Sequence, residues 1–267
     1  MKSIFISALA LSVGLVSCTK TTTTETDKAN DTLAVADQKD GFTYDSLVVG
    51  DSLSVTDLVS AKFRQKVLVF TGLDKPVLDS LYQSELYDSI APDVAYSRPE
   101  VLNLLEERKN RYYTQTKADI LDFKPAAHQV WDRVSEMEFV DNQNGYLTVQ
   151  YNGYGYTGGA HGYAYEFYKV IDTENQKKLE LKDIVAVDKV DWNKLLLKAS
   201  DERKEGYFEP EKLTYNNNFF FDDKGLSFTY NQYEIAAYVY GIITLTVPYS
   251  DISSALTPEF KQRMGIK

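Results

Sequence analysis

Cys18 is the only cysteine in this sequence of 267 residues. It closes the run Leu15-Val16-Ser17-Cys18 behind Lys2 and an apolar stretch from Ile4 to Val16. A thiol in that position is a nucleophile that can accept diacylglycerol. The small Ser17 before it leaves the backbone open to a signal peptidase, and cleavage frees an α-amine for further acylation. The apolar stretch is shorter than the roughly 20 residues a membrane-spanning helix needs and has the size of a signal-peptide core. Residues 1–17 therefore read as a lipoprotein signal peptide and Cys18 as the lipid attachment residue. Two or three acyl chains, at ~0.8 kcal/mol per buried methylene, anchor a protein permanently. Thr19 follows where an inner-membrane retention signal has Asp, and Thr19-Lys20-Thr21 has no acidic cluster of the surface-export kind. The expected location is the outer membrane, facing the periplasm.

Little else in the chain is arranged for catalysis. The two histidines, His128 and His161, have no metal-ligand spacing. No Gly-x-Ser-x-Gly elbow occurs, and Gly153-Tyr154-Gly155 and Gly158-Gly159 are followed by no Lys-Ser/Thr, so these glycines read as a tight turn between strands. The carboxylate pairs Asp222/Asp223 and Glu209/Glu211 are the raw material of a glycoside hydrolase, but as sequence neighbours they read as solvated turn residues. No catalytic residue, metal site or cofactor is expected; a hydrolase using a carboxylate pair is the third-ranked alternative.

Binding chemistry is better represented. The chain carries 20 Tyr and 13 Phe against 2 Trp. Tyr154, Tyr156, His161 and Tyr163 cluster around the glycines as a candidate partner-contacting loop, since Tyr offers amphipathic contact area at low entropic cost. The same rings suit stacking on the sugars of peptidoglycan. For His161 the other reading is structural, an imidazole bonded across the turn. The formal net charge of -10 argues against nucleic acid and anionic lipid surfaces as ligands and favours a basic protein partner.

The elements that must position these residues follow from periodicity. Residues 18–41, rich in Thr, Asp, Lys and Ala, cannot bury enough surface to offset ordering and read as a lipidated tether. Residues 42–125 read as an N-terminal α+β subdomain. It has two short β-prone runs within Leu47–Val55, a strand ending at Phe70, a helix capped by Asp74, and a second helix opened by Ser97, Pro99 and Glu100. Val101, Leu104, Leu105 and Tyr112 form the apolar face of that helix, and Glu106, Glu107, Arg108, Lys109 and Arg111 a solvated one. Residues 126–267 read as a second α+β subdomain. Its strands are Val130–Val140 and Gly145–Tyr151 joined by an Asp141–Gly145 turn, then Tyr163–Ile171, and a return at Leu179-Glu180-Leu181. A helix follows with Trp192, Leu195, Leu196 and Ala199 inward behind an Asp191 cap, then two strands with Phe219, Phe221, Phe228 and Tyr230 on one buried face, then Ile242–Val247.

The order Gly158-Gly159-Ala160-His161, Leu179-x-Leu181-x-Asp183-Ile184, Asn218-Phe219, Gly225-Leu226, Tyr233-Glu234-Ile235-Ala236, Gly241 and Val247-Pro248-Tyr249 resembles the RsiV-like family of extracytoplasmic domains, from about Tyr44 to Leu256. The resemblance implies an α+β fold, an N-terminal strand-helix part packed with a C-terminal antiparallel sheet bearing one or two helices. Members of that family occur in an anti-sigma factor that senses lysozyme, beside a PdaC-type peptidoglycan deacetylase, and as stand-alone lipoproteins. It therefore implies a binding protein without catalysis, with a lysozyme-like protein as partner and peptidoglycan as the alternative.

Overall fold

The computed structural model describes residues 41–121 and 125–267. Cys18 and nearly all of the residues expected to form the signal peptide and tether lie outside the described residues. Two sheets organise the rest. The larger has six strands in sequence order: β1 (Thr43–Ser54), β2 (Val59–Thr71), β3 (Gln129–Gln143), β4 (Tyr146–Tyr156), β5 (Tyr163–Asp172) and the two-residue β6 (Lys177–Lys178). All neighbours are antiparallel except β2 and β3. A parallel pair needs a long crossover, and this one carries α1 (Lys75–Tyr82) and α2 (Arg98–Asp119) onto one face of the sheet.

Much of that face is apolar. Ala61, Phe63 and Val67 of β2, Met137 of β3, and Leu147, Val149 and Tyr151 of β4 bury against Leu78, Leu81 and Tyr82 of α1 and Val101, Leu105 and Tyr112 of α2. On the opposite face of β2 and β3, ion pairs Arg64–Glu136 and Lys66–Glu138 run across the strands.

The second sheet, β7 (Phe219–Phe221), β8 (Gly225–Tyr230) and β9 (Ile243–Pro248), is antiparallel throughout. It builds its own core with α3 (Leu181–Ile184), α4 (Trp192–Ala199), α5 (Tyr249–Ile252) and α6 (Pro258–Met264). Phe219, Phe221, Phe228 and Tyr230 are buried, as their alternation predicts. Tyr146 and Val170 of the large sheet join this second core, while Leu147 and Ile171 beside them join the first. The β4–β5 end of the large sheet is thus covered on both faces. Among the described residues no helix is long and apolar enough to cross a membrane.

The expected α+β class, with helices beside the N-terminal strands and a separate antiparallel sheet, is what the chain adopts. Several local expectations change. Leu47–Ser54 belongs to one long strand, with Val55 just past its end, because Gly50 lets β2 approach within 2.9 Å of where a Cβ would stand. Asp74 caps nothing with its side chain; its N–H instead donates to Gln176 Oε1 at 2.8 Å. The Ser97–Glu100 pair forms as predicted, Glu100 Oε2 accepting from Ser97 N and Oγ at 2.9 and 2.7 Å. Leu179 and Leu181 are buried but not a strand: Leu179 follows β6 and Leu181 opens α3. The β3–β4 turn is confined to Asn144 and Gly145, both at positive φ, where an Asn-Gly pair fits the strand twist.

Candidate functional site

Gly153 and Gly155, expected in a turn, lie inside β4, and only Gly158 and Gly159 turn the chain at positive φ. The two strand glycines have a packing reason. Gly153 stands opposite Tyr165 and Gly155 opposite Tyr163 on β5. A Cβ on Gly155 would come within 2.6 Å of the Tyr163 ring, and one on Gly153 would collide with the Tyr165 ring. Aromatic rings laid over strand glycines recover the packing that glycine forfeits.

Residues i, i+2 and i+4 of a strand share a face, so Tyr163, Tyr165 and Phe167 make a row. The rings of Tyr165 and Phe167 are 5.8 Å apart. Tyr163 is 53% exposed and Phe167 44%, although both lie on the face whose neighbouring strands the helices cover.

Charged groups border the row. Arg108, expected on a solvated face of α2, is buried, its Nη2 donating to Ser84 O at 2.7 Å and its Nη1 lying 3.4 Å from Asp88 Oδ1. Burial, and then repulsion from Arg133, hold its pKa below the ordinary guanidinium value. Arg133 is exposed on β3, directly across Gly155 from Tyr163. Glu85 is buried, its Oε2 accepting from Gln65 Nε2 at 2.9 Å. Burial pushes the Glu85 carboxyl up against the opposing pull of Arg108 and Lys169. Lys169 continues the row; burial lowers its ammonium to about 8, although Glu85 pulls the other way. It donates to Ser80 O, Leu81 O and Gln83 O at 2.7, 3.1 and 2.9 Å, closing the C-terminal end of α1, and lies 4.6 Å over the Tyr151 ring. A cleft of about 410 Å³ opens beyond Phe167, lined by Ser84, Glu85, Lys169, Asn217 and Glu234 among others. Perturbed titratable groups gathered at a cleft mark a candidate functional site.

The outer edge of β5 is closed in an unusual way. Beyond the two-residue β6, side-chain amides stand in for the missing strand. Ala164 N donates to Gln232 Oε1 at 2.9 Å, Glu166 N to Asn231 Oδ1 at 2.7 Å and Tyr168 N to Asn218 Oδ1 at 2.8 Å. Asn218 Nδ2 and Asn231 Nδ2 return bonds to Glu166 O. An unpaired edge is a template for other chains, and these three amides occupy it while tying the second sheet to the first.

The sequence-predicted residues are not one patch. Tyr154 pairs with Ala164 and faces away from the row, its ring packed where a side chain on Gly162 would stand. Tyr156 shares that parity, donates to Gly159 O at 3.2 Å and packs beside Val59, Ile120 and Trp131. His161 stacks on Tyr238 with ring centres 4.0 Å apart. Its Nδ1 is 2.9 Å from Gly162 O and its Nε2 3.3 Å from Tyr233 Oη. Only Tyr163 belongs to the ring row. Of the carboxylate pairs, Asp222 Oδ1 accepts from Lys224 N and Gly225 N to close its turn, and Glu209 pairs with Lys212. Among the described residues no group of three or more His, Cys, Asp or Glu side chains is placed to hold a metal ion.

Sequence reasoning missed Glu85, Arg108, Arg133, Tyr165, Phe167 and Lys169. The alternation Tyr163-x-Tyr165-x-Phe167-x-Lys169 was the available signal, since a period of two assigns all four to one face.

Fold and site define a class: an α+β chain in which a helix-covered mixed sheet, joined by amide bonds to a small antiparallel sheet, presents a row of rings at the junction. Residues 59–164 match the family model described as deacetylase PdaC, and residues 166–250 match the one described as a protein of unknown function, DUF3298. The chain belongs to this DUF3298/PdaC type of domain family, and the ring row straddles the two matches. Among solved structures, a DUF3298 family member from Bacteroides fragilis is similar over 88% of this chain and 100% of its own, at 18% identity and a TM-score of 0.66. A DUF3298 family protein from Pseudomonas aeruginosa is similar over 80% and 95%, at 16% identity and 0.58. At these identities the likeness is one of fold. A comparison with curated proteins gave no match.

Proposed function

We propose that the chain is a cell-envelope binding protein without catalysis, lipid-anchored through Cys18 in the outer membrane facing the periplasm, and that it recognises a glycan, peptidoglycan being the polymer at hand there. The observation that carries this reading is the exposure of Tyr163 and Phe167 on a strand face where Gly153 and Gly155 make room for the Tyr165 and Tyr163 rings. An aromatic face carries negative charge density that attracts the polarised C–H groups of a sugar ring. A row of such faces at strand spacing suits a chain of sugars.

A second reading, a lysozyme-like basic protein as partner, is favoured by a different surface. Phe208, Tyr233, Val239 and Tyr240 are 56%, 55%, 84% and 42% exposed on the side that carries His161. Clustered exposed apolar side chains mark interaction sites, and the net charge of -10 would steer a basic partner.

The two readings separate in one experiment. The full-length chain is offered purified peptidoglycan and lysozyme separately at low and high salt. Retention on peptidoglycan that survives high salt supports the glycan reading. Saturable, salt-sensitive capture of lysozyme with no retention on peptidoglycan replaces it by the second.

A further inference from the structure

The ring row ends at charge of one sign. Arg133 lies across Gly155 from Tyr163, and its field acts on Arg108, Tyr112 and Tyr165. It makes no ion pair or hydrogen bond with any described residue. Arg108, the second guanidinium, comes from α2, which packs on β1 and β2, and is repelled by Arg133. Two guanidiniums are thus brought together in a chain of net charge -10, Arg133 in no contact ion pair among the described residues, with the buried Glu85 carboxyl as a carboxyl on which both act. Glu85 is buried and its Oε2 is engaged with Gln65, and Asp88, which pairs with Arg108 at 3.4 Å, lies at the other guanidinium. Guanidinium is the side chain whose planar fork matches a carboxylate bidentately.

We propose that the shelf formed by Arg133, Arg108, Tyr163 and Tyr165 binds an oligosaccharide whose rings bear carboxylates, the rings stacking on Tyr163 and Tyr165 and a carboxylate meeting Arg133. The proposal rests on the glycan reading above and adds the charge of the ligand and the place where that charge is read. An acidic peptide fits less well. Peptides gain affinity on a sheet by adding a strand to an edge, and the adjacent β5 edge is filled by Gln232, Asn231 and Asn218. On the sheet face itself the backbone N–H and C=O groups are spent on neighbouring strands, which leaves rings and guanidiniums as the recognising groups.

The test measures binding of short oligogalacturonates to the full-length chain by titration calorimetry, with their methyl esters and a pentaglutamate peptide as companions. The expected result is binding of the acid form, at least about tenfold weaker binding of the ester, and a similar loss for the acid form in Arg133→Glu, with partial recovery in Arg133→Lys. One tenfold step corresponds to about 1.4 kcal/mol. Arg133 is exposed, so its variants leave packing intact, and an unchanged Tm verifies that. Equal binding of acid and ester, or indifference to Arg133→Glu, overturns the anion subsite and leaves the glycan reading standing. Pentaglutamate binding as tightly as the oligosaccharide makes the site a peptide site and overturns the proposal. No binding of any probe by a chain that is still retained on peptidoglycan overturns this inference alone; no retention there either overturns both.

Discussion

Arg263 shows how much of this fold is held by single side chains. From α6 it donates through Nη1 to Asp172 Oδ2 at 2.9 Å and through Nε to Asn144 O at 2.8 Å, and its guanidinium lies 4.0 Å over the Tyr146 ring. Asp172 is 1% exposed. Burial alone would raise its pKa, but hydrogen bonds from Asn175 and Arg263 hold it below the usual carboxylate value. Arg263→Ala leaves that carboxylate buried and short of its cation, and breaking such a pair costs about 3 kcal/mol or more. The expected outcome is a large drop in denaturation midpoint with an unchanged urea m-value. Glu85 gives a pH-dependent prediction. Burial raises its pKa, so the folded chain keeps that proton to a higher pH than the unfolded chain. Its contribution to stability is complete below the ordinary glutamate value and is lost as pH rises through the raised one. Lys169, lowered to about 8, works elsewhere: its cost is relieved as pH rises from about 8 towards the ordinary lysine value of 10.5. In calorimetry from pH 4 to 8, the Tm of Glu85→Gln relative to wild type should therefore climb with pH. A constant difference would remove Glu85 from the linkage.

At the scale of elements, β5 unites the molecule, and its edge is the part built least like a regular sheet. Asn218 both receives Tyr168 N and donates to Glu166 O and Thr229 O. Asn218→Ala should cost about 1–3 kcal/mol, the price of leaving buried backbone groups unpaired, and should speed amide exchange at Tyr168, whose N–H it accepts, but not at Glu166, whose N–H is held by Asn231. Unchanged exchange at Tyr168 would mean that water replaces the amide without loss. Gly153→Ala should displace the Tyr165 ring and weaken ligand binding more than it weakens the fold. Element types were largely legible in the sequence, because strands with period two and helices opened by Ser97-Arg98-Pro99-Glu100 announce themselves locally. The parallel β2–β3 pairing was not, since nothing in either strand records the direction of its neighbour. The amide closure of β5 was not legible either, because Asn231 and Gln232 are some 65 residues away in sequence and nothing local ties them to that strand.

At the scale of the molecule, the candidate site arises from the packing of both family-matched parts. Arg108 and Arg133 come from the PdaC-matched part, and Phe167 and Lys169 from the DUF3298-matched part. That is why the charged run around Arg108 read as a solvated face: whether a helix face meets water or a sheet is decided by the crossover, which local periodicity does not encode. The Tyr-rich loop read as one site because its residues are close in sequence. Strand alternation sends Tyr154 to one face and Tyr163 to the other. The central claim, recognition of a glycan by the β5 ring row, is tested most directly by cosedimentation of the full-length chain with purified peptidoglycan. Wild type is compared with a Tyr163→Ala/Phe167→Ala variant whose Tm is checked. The account predicts salt-resistant retention of wild type and loss of at least about tenfold in the variant; equal retention of the two, or no retention of wild type, contradicts it.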